Sequence, residues 1–215
     1  MTNADERIRR AISAIGEGKP VLVADDTDRE NEVDVILAAR DVSVRWIAWT
    51  VRHSSGFLCA PMPAARADKL ALPLMVERNE DSLRTAYTIT VDAATGVTTG
   101  ISAADRTRTF HVLADPDATV ADLIRPGHVV PLRAVEGGVL SRGGHTEAAV
   151  DLVRLAGAGE VGILVELVHD DGEMLRYDDA KQLAETEGLE LITVQELIQW
   201  RNEHDPWSPA SPAQQ

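Results

Sequence analysis

The chain has little cysteine: Cys59 is the one cysteine among 215 residues. An internal disulfide is therefore impossible, and a structural zinc site built from cysteines is excluded as well. The N-terminal residues 1–10 are polar and charged, without the apolar segment of a signal peptide. The longest apolar run, residues 161–168, contains Gly162 and Glu166 and is too short to cross a bilayer. From these absences we expect a soluble, cytoplasmic protein with no membrane partner.

Positive charge is also scarce, because 21 lysines and arginines stand against 35 aspartates and glutamates, a net charge of −14. An acidic chain repels polyanions on average, which argues against nucleic acid and anionic membranes as partners. The sequence contains no Walker A or G-x-S-x-G pattern, and its one G-x-G-x-x-G match, residues 157–162, follows a predicted helix rather than a predicted strand. Binding of ATP, GTP or NAD and serine-hydrolase chemistry are therefore not indicated.

The hydrophobic pattern alternates between short strand-like and helix-like segments. Tyr87, Ile89 and Val91 alternate with threonines and predict a half-buried strand. The other predicted strands are residues 20–24, 35–38, 57–60 (ending at Pro61), 161–168 and 189–193, and the predicted helices are residues 42–51, 64–72, 119–124, 145–156, 178–187 and one that begins at Thr193. This mixture indicates an α+β or a layered α/β domain over residues 1–204. Residues 205–215 are rich in proline and small polar residues, and we expect a disordered tail there.

A dense group of carboxylates lies between two of the predicted strands, at Asp25, Asp26, Asp28, Glu30, Glu32 and Asp34. Crowded carboxylates repel one another, and a hard divalent cation such as Mg²⁺ relieves that repulsion. A calcium-binding EF-hand is excluded, because Asn31 occupies the position of its obligatory glycine. Arg29 within the group suggests an anion shared between a metal ion and a guanidinium group. A solvated acidic turn remains the alternative.

The segment around Arg142, Gly143, Gly144 and His145 leads into a predicted helix. Glycines before a helix let backbone N–H groups approach an anion, and the helix N-terminus favours negative charge. Arg142 could bind phosphate in a bidentate manner, and His145 could bind a metal ion as a neutral imidazole. The alternative is an ordinary glycine turn with a capping Thr146 and a surface histidine.

Two further polar residues lie in apolar surroundings. His128 follows a predicted Pro-Gly turn; such a histidine is more often structural, yet its rigid segment suits general acid–base work. Glu166 lies within an apolar strand, where an unpaired carboxylate is costly, so we expect it to be paired, metal-bound or raised in pKa. No obvious base accompanies Ser55, and Cys59 is predicted to pack as a small apolar residue.

Taken together, these segments resemble the 3,4-dihydroxy-2-butanone 4-phosphate synthase family of riboflavin biosynthesis. The resemblance covers about residues 8–200 in order. The matching stretches are DDTDRENE at residues 25–32, RHSSG at 52–56, GVTTGISAADR at 96–106, RPGHVVPLR at 125–133, GVLSRGGHTEA at 138–148, Glu166, and DDG at 170–172.

The resemblance implies an α+β fold: a single layered domain with a mixed β-sheet core flanked by helices. It also implies a homodimer, Mg²⁺ or Mn²⁺ as cofactor, and the phosphosugar D-ribulose 5-phosphate as substrate. In the family this substrate is enolised, loses water, undergoes a skeletal rearrangement and loses C4 as formate, giving L-3,4-dihydroxy-2-butanone 4-phosphate. The stand-alone form of the enzyme is expected rather than its fusion to a GTP cyclohydrolase II domain.

The resemblance also implies roles for individual residues. Glu30 and His145 would hold the metal ion, and His128 and Glu166 match residues essential for turnover. Residues 77–85 would close over the substrate, with Thr85 near its phosphate. The residues implied in substrate binding are Arg29, Glu30, Asp34, Arg142, Gly143, Gly144, His145, Thr146 and Glu166.

One departure from the family pattern concerns Val33, where the family usually has glycine. If that backbone needs a positive φ, valine is strained there, and its bulk could narrow the pocket. Two alternatives to an active synthase follow: a divergent paralogue acting on another phosphosugar, and a non-catalytic homologue that binds metal or phosphosugar. The presence of Glu30, His128, His145 and Glu166 favours the active synthase.

Overall fold

The computed structural model describes residues 3–204, so the predicted tail at 205–215 lies outside the described residues. The strands are Val21–Ala24 (β1), Val33–Ala38 (β2), Cys59–Pro63 (β3), Val91–Ala93 (β4), Leu123–Ala134 (β5), Gly162–Glu166 (β6) and Glu190–Thr193 (β7). The helices are Asn3–Gly16 (α1), Val44–His53 (α2), Ala64–Lys69 (α3), Ala103–Ala114 (α4), His145–Leu155 (α5), Tyr177–Glu187 (α6) and Val194–His204 (α7), with short 3-10 helices at Val120–Asp122 and Gly138–Leu140. None of these helices combines the length and apolar character that a bilayer crossing requires.

The strands form one mixed sheet in the order β4-β5-β3-β6-β2-β1-β7. Strands β1 and β2, β2 and β6, β3 and β6, and β4 and β5 pair antiparallel, whereas β1 and β7 and β3 and β5 pair parallel. The predicted fold class, a layered α+β domain with a mixed sheet flanked by helices, is confirmed.

Alternate residues of the central strands enter two apolar clusters, one on each face of the sheet. Val33, Val35 and Leu37 of β2 pack into the cluster that contains Phe110 of α4. Ile36 of β2 packs into the cluster that contains residues of α1, α5 and α7. The alternation places Asp34, between Val33 and Val35, on the same face of the sheet as α5.

The predicted helix at residues 119–124 is wrong. Residues 119–124 form a short 3-10 helix followed by the start of β5, because Leu123 pairs with Ala93 of β4 and continues as strand. The capping box between Thr119 and Asp122 explains why the segment resembles a helix start. As a result His128 lies inside β5 rather than after a Pro-Gly turn.

Two predicted strands also differ from the structure. β3 continues through Pro61 to Pro63. A proline has no backbone N–H to donate to a neighbouring strand. Within the described residues β6 pairs with β3 only at Cys59, so that side of β3 needs no hydrogen bond from Pro61 or Pro63. The predicted half-buried strand at residues 87–91 is limited to isolated bridges, and β4 begins at its last residue. Thr88, in the middle of that segment, is fully buried, and its hydroxyl donates to the Pro131 carbonyl at 3.0 Å.

Candidate active site

A polar pocket opens at one edge of the sheet, where β1 and β6 end, β2 and β3 begin, and α5 starts. Its lining combines carboxylates, arginines, an imidazole and a few apolar side chains: Arg29, Glu30, Glu32, Asp34, Cys59, Thr85, Tyr87, Leu132, Arg142, His145, Thr146, Leu164 and Glu166. Most of the substrate-binding and metal-binding residues predicted from the sequence line this pocket. Gly143 and Gly144 directly precede the first residue of α5, and His128 is not part of the lining.

Asp25 organises the acidic loop that forms one wall of the pocket. Its side chain is fully buried, and its Oδ1 accepts a hydrogen bond from the backbone N–H of Glu32 at 3.0 Å. Its Oδ2 accepts from the backbone N–H of Glu30 and from Arg29 Nη1, both at 3.0 Å. Asn31 supplies the left-handed turn that this path requires, with φ of 55°. The pocket side of the loop is therefore folded around one carboxylate, whereas Asp26 and Asp28 lie in an exposed turn.

His145 is held in one orientation beside two carboxylates. The imidazole is 4% exposed, and its Nε2–H donates to the Val23 carbonyl at 3.0 Å. This bond leaves Nδ1 facing the acidic loop, 3.4 Å from Glu30 Oε2 and 3.5 Å from Asp34 Oδ2. A backbone carbonyl that fixes the tautomer of a histidine is a common arrangement around metal-binding imidazoles.

The same three groups shift one another's protonation. Burial raises the pKa of Asp34 to about 7, although the nearby His145 opposes the rise. Burial alone lowers the pKa of His145, but the charges of Asp34, Glu30 and Asp25 outweigh it and raise the value to about 9. Burial likewise raises the pKa of Glu30, but His145 and Arg29 lower it below its usual range. Protons and a metal ion therefore compete for one site.

The donor set fits a divalent cation. Asp25, Glu30 and His145 each offer a ligand atom, and these atoms lie within 4.8 Å of one another. Asp34 Oδ1 is buried and has no hydrogen-bond partner among residues 3–204, which is costly unless another group satisfies it. Carboxylate oxygens with one imidazole suit Mg²⁺ or Mn²⁺.

Two guanidinium groups converge beside these carboxylates at the N-terminus of α5. A Cβ placed on Gly144 would lie 2.5 Å from Arg142 Nη1 and 3.0 Å from Arg29 Nη2, so the glycine lets both side chains approach the helix. The N–H groups of the first helical turn have no partners within the helix and attract anions. Thr146 adds a hydroxyl in this turn. This part of the pocket can hold a phosphate group.

Glu166 ends β6 and faces the same pocket. Glu166 is paired with Asp34 of the neighbouring antiparallel strand β2, and its Oε2 accepts a hydrogen bond from Ser55 Oγ at 2.8 Å. Of the three expected states of Glu166, namely paired, metal-bound or raised in pKa, the structure shows pairing, with the Ser55 hydroxyl as partner. The prediction that Ser55 has no base nearby is wrong, because the strand pairing brings the carboxylate to it from a distant part of the sequence.

Comparisons with known proteins agree with this geometry. Residues 9–200 match the sequence model of the family described as 3,4-dihydroxy-2-butanone 4-phosphate synthase. The chain belongs to this family. It is 51% identical over 207 residues to the riboflavin biosynthesis protein RibBA of Mycobacterium ulcerans, covering 95% of this chain and 48% of that protein. The chain thus spans about half the length of the curated relatives it matches.

Two crystal structures of 3,4-dihydroxy-2-butanone 4-phosphate synthase are similar to the whole fold. One, described as a complex with two magnesium ions, is 44% identical with a TM-score of 0.89, covering 91% of this chain and 96% of the other. A cation-free form is 43% identical with a TM-score of 0.85, covering 91% and 97%. A solved member of the synthase family therefore binds divalent metal on this fold.

Several lining residues of this synthase-family site were not assigned to it from the sequence. Leu132, Leu164 and Tyr87 form an apolar wall, and burial raises the pKa of the Tyr87 hydroxyl to about 12. Cys59 is buried as predicted, yet it borders the pocket, and burial raises its thiol pKa well above the usual value. Thr85 borders the pocket as the family resemblance implies.

His128 lies apart from the pocket of its own chain. It precedes Leu132, a lining residue, by four positions in β5, or about 13 Å of strand. Buried Asp92 holds it, with Oδ2 2.7 Å from its Nδ1 and Oδ1 accepting from its backbone N–H at 2.9 Å. The side chain is 40% exposed. The imidazole is thus oriented by a carboxylate and open to the surroundings of the chain.

Val33 causes neither of the problems expected of it. Among residues 3–204, non-glycine residues with positive φ are Asn31, Ala71 and Arg84, so Val33 is not strained in that way. Its side chain is 1% exposed and packs in the cluster on the far face of the sheet. It does not line the pocket, because strand alternation directs Asp34 there instead.

Proposed function

We propose that this protein converts D-ribulose 5-phosphate into L-3,4-dihydroxy-2-butanone 4-phosphate and formate, a step of riboflavin biosynthesis. The observation that carries the proposal is the junction of a carboxylate–imidazole cluster with two arginines at a helix N-terminus in one pocket. Membership in the synthase family and the similarity to the magnesium-bound structure support the same reaction. The two products together contain all atoms of the substrate, so the water lost in the dehydration is taken up again when C4 leaves.

Glu30 and His145 would hold the divalent cation, Mg²⁺ or Mn²⁺, with Asp25 beside them. When bound, the ion would supply a Lewis acid that stabilises negative charge on the substrate oxygens. Asp25 would act indirectly, because its carboxylate accepts hydrogen bonds that hold the backbone of Glu30 and the guanidinium group of Arg29 in place.

The phosphate of the substrate would occupy the arginine side of the pocket. Arg29 and Arg142 both lie close to Gly144, and Gly143 and Gly144 directly precede α5. Guanidinium groups bind phosphate oxygens in a bidentate manner, and the helix N-terminus adds N–H donors. These contacts would make the electrostatic potential positive at the phosphate, although the protein as a whole is acidic. They would also place the sugar next to the carboxylates.

The proton transfers would fall to the carboxylates and a histidine. Glu166 points into the pocket with a hydrogen bond from Ser55, and Asp34 has a pKa raised to about 7 by burial, close to the value that suits a general acid or base near neutral pH. Enolisation moves a proton between neighbouring carbons, and dehydration protonates a leaving hydroxyl. Groups on both sides of the sugar are therefore needed.

We further propose a homodimer in which His128 acts on the pocket of the partner chain. His128 is oriented by Asp92, is exposed, and does not line the pocket of its own chain, from whose nearest β5 lining residue, Leu132, it is separated by about 13 Å of strand. A twofold dimer buries the same patch on both chains, so it would supply one His128 to each site. We also propose action in the cytoplasm, which suits the free thiol of Cys59.

Purified protein incubated with D-ribulose 5-phosphate and Mg²⁺ tests the proposed reaction. We expect formate and the four-carbon phosphosugar in equal amounts, and loss of both when EDTA removes the metal. D-Xylulose 5-phosphate and D-ribose 5-phosphate serve as competing substrates. A higher kcat/KM for either of them would favour a divergent paralogue, and absence of product from a folded, metal-loaded protein would favour a non-catalytic homologue.

A further inference from the structure

Helix α5 carries two buried carboxylates, Glu147 and Asp151, one turn apart on the side that faces the preceding loop. Glu147 is 1% exposed and Asp151 is 3% exposed. Residues at i and i+4 lie on the same face of a helix, so both side chains reach the loop of residues 135–140. Buried carboxylates are costly unless they are paired, and here each accepts a hydrogen bond from a backbone N–H of that loop.

The two carboxylates differ in the arginine that they contact. Glu147 Oε1 accepts from the backbone N–H of Val135 at 3.0 Å, and Oε2 lies 2.5 Å from Arg142 Nη1. Asp151 Oδ2 accepts from the backbone N–H of Val139 at 2.8 Å and from Arg201 Nη1 at 2.6 Å. Glu147 therefore connects the loop to the pocket, whereas Asp151 connects it to α7.

Arg142 is held by contacts at both arms of its guanidinium group. One arm of its guanidinium contacts Glu147, and the other, Nη2, donates to the Leu83 carbonyl at 3.0 Å. Its backbone N–H donates to the Gly138 carbonyl at 3.0 Å, within the loop that both carboxylates hold. A long side chain that is already ordered loses less conformational entropy when it binds an anion.

We propose that Glu147 is a positioning residue that orients Arg142 toward the substrate phosphate. It acts through Arg142, since its own side chain is 1% exposed, contacts the guanidinium and is not part of the pocket lining. This inference rests on the proposed role of Arg142 as a phosphate ligand. Asp151 has the same structural relationship to the loop without that contact, which makes it a matched control.

The substitution Glu147→Gln separates orientation from folding. The glutamine carbonyl can still accept from Val135, but its amide turns an N–H donor toward Arg142, so the pairing that aims the guanidinium is lost. We expect KM for D-ribulose 5-phosphate to rise about tenfold and kcat to change less than about threefold, as for a lost binding contact. Asp151→Asn should lower the melting temperature but leave KM within about twofold, because it does not contact Arg142.

A double-mutant cycle with Arg142→Ala decides whether Glu147 acts through Arg142. Binding of D-ribulose 5-phosphate in EDTA is measured by calorimetry for the wild type, Glu147→Gln, Arg142→Ala and the double variant. We expect Glu147→Gln to weaken binding about tenfold in the wild type and less than about twofold in the Arg142→Ala background.

Three results would count against parts of this account. Equal weakening in both backgrounds, or an unchanged Kd for Glu147→Gln alone, overturns the positioning role. An unchanged Kd for Arg142→Ala contradicts the proposed phosphate site itself, and with it the role of Glu147. Circular dichroism of each variant confirms that the compared proteins are folded.

Discussion

Asp34 and Glu166 face each other across the neighbouring antiparallel strands β2 and β6 and place two carboxylates in one pocket. Asp34 is fully buried and close to His145, whereas Glu166 is partly exposed and bonded to Ser55. Their environments therefore differ although their positions are adjacent. In such a pair, one carboxylate can provide negative charge beside a metal ion while the other carries a proton, although the two side chains are chemically similar.

Replacement of Glu166 by glutamine should abolish turnover while the protein stays folded. The amide keeps a hydrogen bond to Ser55 but cannot exchange a proton, so kcat should fall by about 10²–10⁴-fold. Formate release measures the loss. Ser55→Ala, which removes the hydrogen bond but keeps the carboxylate, is the matched control and should lower kcat less than about tenfold. Similar rates for Glu166→Gln and the wild type would exclude Glu166 from the chemistry.

Mixed dimers should test the separation between His128 and the pocket. His128→Ala and Glu166→Gln are each expected to be inactive alone. If each site combines His128 of one chain with Glu166 of the other, random mixing restores one intact site in half of the dimers, or about a quarter of wild-type activity. Co-expression of differently tagged chains followed by a formate assay measures this. Mixed dimers that stay inactive would contradict the shared site.

Mg²⁺ should stabilise the protein more strongly as the pH rises from about 6 to about 9, because protons compete for its ligands. The folded pKa of His145, about 9, exceeds its usual value of 6.5, so its contribution to stability is full below pH 6.5 and is lost as the pH rises through 9. Asp34, raised from 3.8 to about 7, likewise contributes below pH 3.8 and loses this contribution by pH 7.

The metal-free protein should therefore lose the contribution of His145 over the same pH range in which Mg²⁺ binding strengthens, whereas the contribution of Asp34 is already lost by about pH 7. Thermal unfolding in EDTA and in Mg²⁺ at several pH values measures both effects. The variant His145→Asn supplies the control, because the pH dependence of the Mg²⁺ effect should become shallower without the imidazole. A stabilisation by Mg²⁺ that does not change between pH 6 and 9 would rule out the proposed competition.

An added methyl group at Gly144 should weaken substrate binding. The Cβ would displace the guanidinium of Arg142 and press on that of Arg29, so we expect Gly144→Ala to raise KM about tenfold or more. Gly16→Ala, at the end of α1, is a control in which the new Cβ meets Ala156 at an ordinary 3.4 Å. Steady-state kinetics compare the two. Equal KM values would show that the arginines need no such approach.

The residue types of the site could be predicted from the sequence more completely than their arrangement in space. The acidic loop and the segment that begins at Arg142 carry their ligands within a few residues of one another, so local spacing reveals them. Contacts between distant segments are set by strand pairing and leave no local signal. The bond from Ser55 to Glu166 and the place of Tyr87 in the apolar wall are of this kind.

Val33 and His128 show that a family pattern does not reveal where a side chain lies relative to the pocket. Comparison with a family pattern marks Val33 as a departure, but strand alternation turns its side chain into the core, away from the pocket. The pattern also marks His128 as catalytic, but not its distance from the other site residues along β5. The fold class was predictable because alternating helices and strands survive local errors such as that at residues 119–124.

D-Ribulose 5-phosphate labelled with ¹³C at C4 tests the central claim most directly. With the wild-type protein and Mg²⁺, ¹³C NMR should show the label in formate and none in the four-carbon phosphosugar. Label retained in a phosphosugar, or no consumption of substrate by the folded, metal-loaded protein, would contradict the proposed reaction.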